Sequence, residues 1–554
     1  GNHSWYVPIA HRYLGAPDQL PQDAVLAAVG PALAAADKKR LVHGRKEASL
    51  TLRRAGLPRL AVDLDVEIVS YLVDATKYEH SLENIALDHL ESKLPAAPNE
   101  IARGRESWEQ GTVSEARDYA LARVEAIYAV APILLTDLKA GAKGSISRLE
   151  ELYRQVELPL SDVLADVESA GIRIDPSVMQ ALSREFGEKA TRMERTCHEL
   201  AGGPFNVGSP KQLSDVLFNR LGLPVIKKTK TGASTDASVL DQLLDQHEIV
   251  PTILQWRSIT KLKGTYTDVL PTLINPETKR IHTNFRQALA ATGRLSSFDP
   301  NLQNIPSRTE EGRRIREAFV PAEGCVLLSA DYSQIELRLL AHLSGDPGLT
   351  AAFRDREDIH TRTAAEVFGL KTDEVTRDQR SAAKAINFGL MYGMSAFRLA
   401  RDLHITRPEA QSYMDRYFER YASVKNYIDE TLQFGRDNGY VETLLGRRRY
   451  VPELTSRNFT RRGAAERAAM NMPVQGTAAD VIKLAMLRVQ SALREQGLKA
   501  TMLLQVHDEL VFDVPHDELE VVTKLVVDRM ETAYPISVPM DVSVSSGPNW
   551  NEAH

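Results

Sequence analysis

The stretch LLSADYSQIELR, residues 327–338, ends an apolar run at Asp331, and the stretch LLQVHDELVFDV, residues 503–514, contains a second aspartate, Asp508, after another apolar run. Each run is typical of a buried strand, where an unpaired carboxylate is costly and a divalent cation would relieve the cost. Because an aspartate often simply ends a strand or opens a turn, either residue alone has an ordinary structural explanation. The pair predicts a shared cation site on one sheet.

The residues around the two aspartates predict how each is presented. Ser333 and Glu336 have the spacing of a capping box for the helix that follows, and the turn before it would direct Asp331 and the backbone carbonyl of Tyr332 toward a shared metal. The segment His507-Asp508-Glu509 predicts a tight hairpin with a carboxylate at its tip, although a plain polar turn fits the same letters.

The ligand chemistry indicates the metal. The candidate donors are hard oxygens without a cysteine or histidine cluster, which favours Mg²⁺ over Zn²⁺. We expect two Mg²⁺ ions about 4 Å apart, with Mn²⁺ as a possible substitute, bridged by the two aspartates; such a pair can activate a hydroxyl and stabilise a leaving oxygen in phosphoryl transfer.

Four residues spaced four apart, Arg380, Lys384, Phe388 and Tyr392, share one face of a predicted helix. An amphipathic helix with a basic edge is the ordinary explanation. The alternative is a nucleotide-binding helix, whose cations hold a triphosphate while the rings stack on a sugar or base.

Arg294 in ATGRLSS and Gln475 in NMPVQGTAAD are hydrogen-bond donors that could border the same cleft. Each could equally be a loop or cap residue. Donors beside a DNA minor groove would meet acceptors that every correct base pair presents, so they could check pair geometry without reading sequence.

The composition is that of a globular, multidomain protein. The chain has 554 residues, 43% of them hydrophobic, and its net charge of -6 decides nothing about nucleic acid because binding depends on local basic clefts. Two cysteines suit a reducing cytosol, and no apolar run approaches the roughly 18 residues of a membrane span, so we expect a soluble protein. A start at Gly1 without methionine leads us to expect missing upstream sequence.

The order of elements predicts an α+β sheet domain assembled from two distant halves of the chain with helices inserted between them. Short strands, among them WYVPIA at residues 5–10, mix with helices up to about residue 140, and the flexible segment 139–145 marks a boundary. Long helices follow to about residue 270.

With these motifs assembled, the chain resembles the family A DNA polymerases, in particular the large fragment of the bacterial type I enzymes. The resemblance covers residues 150–554 and includes TGRLSS, DPNLQNIP, DYSQIELR, RSAAKAINFGLMYG, ERAAMNMPVQGTAAD and QVHDELVF in the family's order. It implies a right-hand fold with an exonuclease-like region at 1–145, a thumb at 146–270, a palm at 271–345 and 441–554, and fingers at 346–440.

The resemblance also implies roles for individual residues. It gives catalytic roles to Asp331, Asp508, Glu509 and Lys384, with the metals held by Asp331, Tyr332 and Asp508. It gives nucleotide contacts to Arg380, Lys384, Phe388, Tyr392, Glu336, His360 and Gln334. It gives DNA contacts to Arg294, Arg467, Asn471, Gln475, His507 and Lys261. Glu336 matches the residue that crowds a ribose 2′-hydroxyl, which implies selection of deoxynucleotides by exclusion.

The first 145 residues resemble the family's RNase H-like 3′-5′ exonuclease domain more weakly, and we expect this domain to be truncated or degenerate and inactive. Ala48 and Arg123 stand where acidic metal ligands are expected, and a cation would repel Mg²⁺. The D-x-E triplet Asp65-Val66-Glu67 falls after the place that the family order requires, so we interpret it as surface or structural.

The resemblance implies a cytoplasmic, monomeric, nucleoid-associated enzyme of DNA repair and replication. Its partners would be primer-template DNA and deoxynucleoside triphosphates, with no membrane partner. Two alternatives stay open: a single-subunit RNA polymerase, which shares the hand and the aspartate pair, and a non-catalytic DNA-binding scaffold.

Overall fold

A computed structural model describes residues 3–35, 38–57, 61–98, 101, 104, 107–140, 147–230 and 232–554. Its sheets and helices lie around one large hydrophobic core and several smaller ones. The predicted boundary at 139–145 falls largely on residues 141–146, outside the described residues.

The N-terminal region is mainly helical. Its helices are Gln22–Ala34, Arg45–Arg54, Val66–Val73, Leu82–Leu90 and Val113–Lys139. Within the described part, its only sheet is a parallel pair, Leu41–Val42 with Leu64–Asp65. The predicted strand at residues 5–10 is wrong, since these residues form no regular structure and Trp5 is exposed. In the described part of the chain, no neighbouring strand forms backbone hydrogen bonds with them.

The Val113–Lys139 helix bears on the prediction about membrane spans. An 18-residue window in it has a mean hydropathy of 1.4, so by length and composition it could cross a membrane, although no uninterrupted apolar run exists. Its buried side chains, including Val130, Leu134 and Leu138, pack into the core of the N-terminal region, while Tyr128 is exposed. One such helix is weak support for a membrane span.

Helices dominate the next section as predicted. They are Arg148–Leu152, Leu158–Ala170, Pro176–Leu200, Pro210–Ser214, Ala237–Leu240 and Ile249–Leu262. Pro176–Leu200 begins with Asp175 as its N-cap and packs along Ile249–Leu262. A small hairpin, Lys228–Thr229 with Gly232–Ala233, lies between these two helices in the sequence.

The central sheet has four antiparallel strands in the order Thr501–Val506, Glu509–Pro515, Cys325–Tyr332 and Val542–Gly547. Its central strands are apolar and almost fully buried because helices cover the sheet. Smaller antiparallel pairs accompany it: Arg173–Ile174 with Phe319–Val320, Asn284–Arg286 with Ser296–Phe298, and Tyr440–Glu442 with Arg448–Tyr450.

The predicted insertion of helices between two halves of one sheet is confirmed. The helices after residue 300 are Glu310–Glu317, Ile335–Ser344, Pro347–Arg354, Ile359–Phe368, Arg377–Met391, Ala396–Leu403, Arg407–Arg420, Ala422–Asn438, Phe459–Glu495 and Leu519–Glu531. Most of them separate Cys325–Tyr332 from its neighbour Glu509–Pro515, so residues about 180 positions apart in sequence become adjacent in space.

Candidate active site

The two aspartates lie side by side at one end of the central sheet. Asp331 stands opposite Glu509 in the ladder, and the Tyr332 N–H donates to the Asp508 carbonyl at 3.2 Å. Val506 pairs with Glu509, so His507 and Asp508 form the two-residue turn that was predicted. His507 adopts the left-handed region, with φ +55°, which turns the chain sharply and presents Asp508.

Both aspartates line one cavity of about 690 Å³ together with the predicted helix face. Of the predicted residues, those lining it are Asp331, Tyr332, Gln334, Glu336, His360, Arg380, Lys384, Phe388 and Asp508. Arg308 and Ser381 also line it and were not predicted. The cavity therefore joins two carboxylates to a cationic wall.

The carboxylates carry raised pKa values. Burial raises the pKa of Asp331 to about 6, with a further contribution from Glu509, and burial raises the pKa of Asp508 to about 7, with contributions from Glu336 and Asp331. No residue that the structure describes donates a hydrogen bond to either side-chain carboxylate. Their oxygens are therefore available to an exogenous cation.

This donor set fits Mg²⁺ or Mn²⁺. The oxygens are hard, and a divalent cation would offset the charge that burial penalises. Within the described ranges, no third His, Cys, Asp or Glu closes a metal-binding cluster around them. The other coordination positions would fall to backbone carbonyls such as that of Tyr332, water and substrate oxygens.

The helix Arg377–Met391 forms the opposite wall. Thr376 and Gln379 make a capping box at its start, and Tyr392 follows its last residue. Arg380 pairs with Asp358 at 2.6 Å, whereas Lys384 has no ion-pair partner in the described part of the chain. The rings of Phe388 and Tyr392 stack with centroids 6.4 Å apart.

The predicted capping box at Ser333 and Glu336 is wrong. The helix Ile335–Ser344 begins after Gln334, which has φ +56° and makes no side-chain cap, while Ser333 bonds to the Ser543 hydroxyl. Glu336 is engaged elsewhere. Its carboxylate accepts a hydrogen bond from Arg294 at 2.5 Å and another from the Tyr392 hydroxyl, so it links the two walls of the cleft.

Glu509 does not line the cavity. It is buried and accepts hydrogen bonds from Ser329 at 2.7 Å and from the Trp550 indole at 2.8 Å, and His554 lies 3.4 Å away. Burial would raise the pKa of Glu509, but these hydrogen bonds outweigh it and hold the pKa below its ordinary value. In this geometry Glu509 supports the sheet next to Asp331.

The predicted DNA contacts occupy different places. Arg294 and His507 line a small cavity beside Asp508, and Arg467 lines a second cavity behind Phe388 and Tyr392. Gln475 lies next to the Tyr392 hydroxyl. The buried amide oxygen of Asn471 has no hydrogen-bond partner among the described residues. Lys261 is exposed on the Ile249–Leu262 helix, away from the residues that line these cavities.

Two glutamines that no sequence motif singled out hold the Asp508 turn. Gln303 accepts from the Ser297 N–H at 3.1 Å and donates to the side-chain and main-chain oxygens of Gln505 at 3.0 and 3.2 Å. Gln505 in turn donates to the His507 carbonyl. A buried glutamine inside the apolar strand before Asp508 was the available signal.

The N-terminal region holds a second carboxylate cluster, beside a cavity of about 390 Å³. Asp65 caps a helix and accepts from the N–H groups of Gly44, Arg45 and Glu67, which confirms a structural role. It is buried, so the surface alternative is wrong. Burial raises the pKa of Glu67 to about 7.

The two positions that departed from the exonuclease pattern contain no carboxylate. Ala48 lies within the helix Arg45–Arg54. Arg123 bonds to Glu83, and its guanidinium lies 3.6 Å from the centroid of the Tyr119 ring. The side chain at the second position is therefore committed to a local ion pair.

Comparisons with known proteins show the family to which the chain belongs. The model of the DNA polymerase family A matches residues 176–552. DNA polymerase I of Pseudomonas aeruginosa is 47% identical over 99% of this chain and 60% of its own length. The thermostable DNA polymerase I of Thermus aquaticus is 54% identical over 73% of this chain and 49% of its own length. The chain thus spans about 60% or less of these relatives.

A solved structure described as the POL domain of Pol1 from M. smegmatis in complex with DNA primer-template and dNTP has a TM-score of 0.86 and 41% identity. The match covers 95% of this chain and 88% of that one. The predicted right-hand polymerase fold is confirmed. The chain belongs to DNA polymerase family A.

Proposed function

We propose that this chain is a template-directed DNA polymerase that adds deoxynucleotides to a primer 3′ end. The observation that carries the proposal is the single cavity of about 690 Å³ lined by Asp331 and Asp508 on one wall and by Arg380 and Lys384 on the other. Such a cavity suits a triphosphate whose α-phosphate faces the carboxylates.

In the proposed reaction the primer 3′-hydroxyl attacks the α-phosphorus, the bond to the β-phosphate oxygen breaks, and pyrophosphate leaves. Two Mg²⁺ ions, held by Asp331, Asp508 and the Tyr332 carbonyl, would lower the pKa of the hydroxyl and stabilise the leaving oxygen. Arg380, as a planar donor, and Lys384, as a point charge, bind the phosphates and orient them in line.

The choice of deoxynucleotides rests on Glu336. Arg294 and Tyr392 hold its carboxylate in place, so a ribose 2′-hydroxyl that entered this space would meet a fixed group. This arrangement favours a DNA polymerase over the single-subunit RNA polymerase alternative. A non-catalytic scaffold would need neither two half-buried carboxylates nor a Lys384 that all lack partners among the described residues.

The remaining assignments are part of the same proposal. We assign the exonuclease-like region to 1–145, the thumb to 146–270, the palm to 271–345 and 441–554, and the fingers to 346–440. We also propose that the chain acts as a monomer. Both cysteines are free, which suits a reducing cytoplasm and the bacterial nucleoid. Arg294, His507, Arg467, Asn471, Gln475 and Lys261 are proposed to contact primer-template DNA.

We also propose that the N-terminal region lacks 3′-5′ exonuclease activity. In its acidic cluster the Asp65 carboxylate already accepts hydrogen bonds from backbone N–H groups. Arg123 occupies an expected ligand position and bonds to Glu83. Degradation of a mismatched primer in Mg²⁺ without nucleotides, persisting in Asp331→Ala, would contradict this part.

Extension of a labelled primer tests the main proposal. The wild-type chain is expected to extend with deoxynucleotides and poorly with ribonucleotides in Mg²⁺, and Asp508→Ala is expected to be inactive. Extension by ribonucleotides alone would favour the RNA polymerase, and binding without extension would favour the scaffold.

A further inference from the structure

His360 lies in the cleft near Arg380 and Lys384, with one ring nitrogen turned into the protein. It lines the cavity, and its ring centroid is 5.9 Å from that of Phe388. Its Nδ1 lies 3.1 Å from the amide nitrogen of Asn387, which is 1% exposed and directly precedes Phe388 on the Arg377–Met391 helix. No described residue hydrogen-bonds the other ring nitrogen, Nε2.

The orientation of the Asn387 amide follows from its second contact. The hydroxyl of Thr363, a fully buried residue, donates to the Asn387 Oδ1 at 3.2 Å, so the oxygen is occupied and the NH₂ group faces the ring. An amide nitrogen can only donate. Nδ1 must therefore accept, and the proton of the neutral ring is on Nε2.

The charges around the ring favour this neutral form. Burial lowers the pKa of His360 to about 4; Asp358 opposes the shift, and Arg380 and Lys384 add to it. Asp358 is itself paired with Arg380 at 2.6 Å, which weakens its pull on the imidazole. A third cation next to Arg380 and Lys384 would be costly, whereas a neutral donor would not.

We propose that Asn387 is a positioning residue that locks His360 as the neutral Nε2–H tautomer, so that the ring donates one hydrogen bond to a phosphate oxygen of the bound nucleotide. This lock consists of two hydrogen bonds on the buried side of the ring. Thr363 donates to the Asn387 amide oxygen, and the Asn387 amide nitrogen donates to His360. The anionic ligand rests on the proposed function, but the tautomer does not depend on it.

The lock has a functional reason. Without it, a neutral histidine could carry its proton on Nδ1 and present a bare nitrogen to an anionic oxygen, which is repulsive. Arg380 and Lys384 supply charge, and His360 would supply a directed donor that stays the same across neutral pH. The ring would thereby orient the phosphates between the two cations.

The first experiment reads the tautomer directly, in the full chain without nucleotide. Nitrogen chemical shifts of histidine-labelled protein, assigned with His360→Gln as the spectrum that lacks the signal, are expected to show a bare Nδ1 and a protonated Nε2 from pH 6 to 8. In Asn387→Asp, an isosteric variant, the carboxylate is expected to draw a second proton onto the ring, so that it titrates within this range. A wild-type ring protonated on Nδ1, or titrating near neutral pH, would overturn the proposal even if the chain proved not to be a polymerase.

The second experiment is a double-mutant cycle on the KM for deoxynucleotide. Asn387→Leu is expected to raise KM about 5- to 10-fold with little change in kcat, since one charge-assisted hydrogen bond is lost. His360→Gln keeps a neutral donor that has no tautomer, so adding Asn387→Leu to it is expected to raise KM no further. An equal effect of Asn387→Leu in both backgrounds would overturn the lock. Should Asn387→Leu fail to fold, Asn387→Asp replaces it: its KM relative to wild type is expected to vary with pH, and a constant ratio would count against the proposal.

Discussion

The cleft with Asp331 and Asp508 and the N-terminal cavity both contain carboxylates with raised pKa values, yet they differ in what those carboxylates bind. Asp508 and Glu67 each have a pKa of about 7. In the cleft both aspartates keep free oxygens and face a cationic wall. In the N-terminal cavity Asp65 is saturated by backbone N–H groups, and Glu47 lies 3.3 Å from Lys46.

A raised pKa does not by itself mark a catalytic carboxylate. Burial raises the pKa of any carboxyl that loses water. What separates the two regions is the presence of two neighbouring carboxylates whose oxygens have no protein partner. Of these two regions, only the cleft has that arrangement among its described residues.

The largest effect is expected on catalysis. Asp508→Asn or Asp331→Asn should lower primer extension by about 10³-fold or more, because loss of a metal ligand removes several kcal/mol of transition-state stabilisation. Glu67→Gln is the matched control, with the same raised pKa in the other region, and should extend primers like the wild type. A comparable loss in Glu67→Gln would show that the carboxylates of the two regions do not differ in catalytic role.

The next effect concerns how the two regions are joined. Glu157, Arg447, Asp480 and Lys483 form a fully buried ion network, and Arg447 lies 5.9 Å from the Tyr71 ring of the N-terminal region. Glu157→Gln should lower the free energy of unfolding by about 3–5 kcal/mol, since it leaves buried cations unpaired.

Denaturant unfolding measures this change. The matched control is Glu520→Gln, which removes an exposed ion pair with Lys524 and should leave the unfolding midpoint unchanged. An unchanged midpoint in Glu157→Gln would mean that the network does not stabilise the junction.

A smaller effect is expected from the support of the Asp508 turn. Gln505→Leu removes the donor to the His507 carbonyl and should lower kcat about 10- to 100-fold through misplacement of Asp508. Gln433→Leu, at an exposed helix position, is the control for a Gln-to-Leu change. If single-turnover rates of Gln505→Leu equalled those of the wild type, the clamp would have no positioning role.

The smallest effect is on stability against pH. Because the folded pKa values of Asp331 and Asp508 exceed the ordinary 3.8, the folded protein binds protons more tightly than the unfolded chain, and stability falls as pH rises from about 4 to about 7. Without metal, Asp508→Asn should therefore be more stable than the wild type at pH 8 and about equal to it near pH 4.

The change in Tm on adding Mg²⁺ tests which of the two regions binds the metal. Mg²⁺ should raise the Tm of the wild type and of Glu67→Gln but not that of Asp508→Asn, since binding to the folded state alone stabilises it. A Mg²⁺ response that Glu67→Gln abolished would move the metal site to the N-terminal region.

The parts of the site that depend on neighbours along the chain could be predicted from the amino-acid sequence. Asp331 and Asp508 follow apolar strand runs, His507 and Asp508 form the predicted turn, and the four-residue spacing fixes the shared helix face of Arg380, Lys384 and Phe388. Periods of two and of 3.6 residues are local properties, so they can be recognised in one sequence.

The polar contacts across the fold could not be predicted from the sequence, because they depend on packing. Glu336 has the spacing of a cap but contacts Arg294 and Tyr392, and Glu509 turns away from the cavity toward Ser329 and Trp550. The same holds for the links between Gln303 and Gln505 and between Asn387 and His360. These partners lie from 27 to 202 positions apart, and no periodic pattern links them, because packing of the helices and strands brings them together.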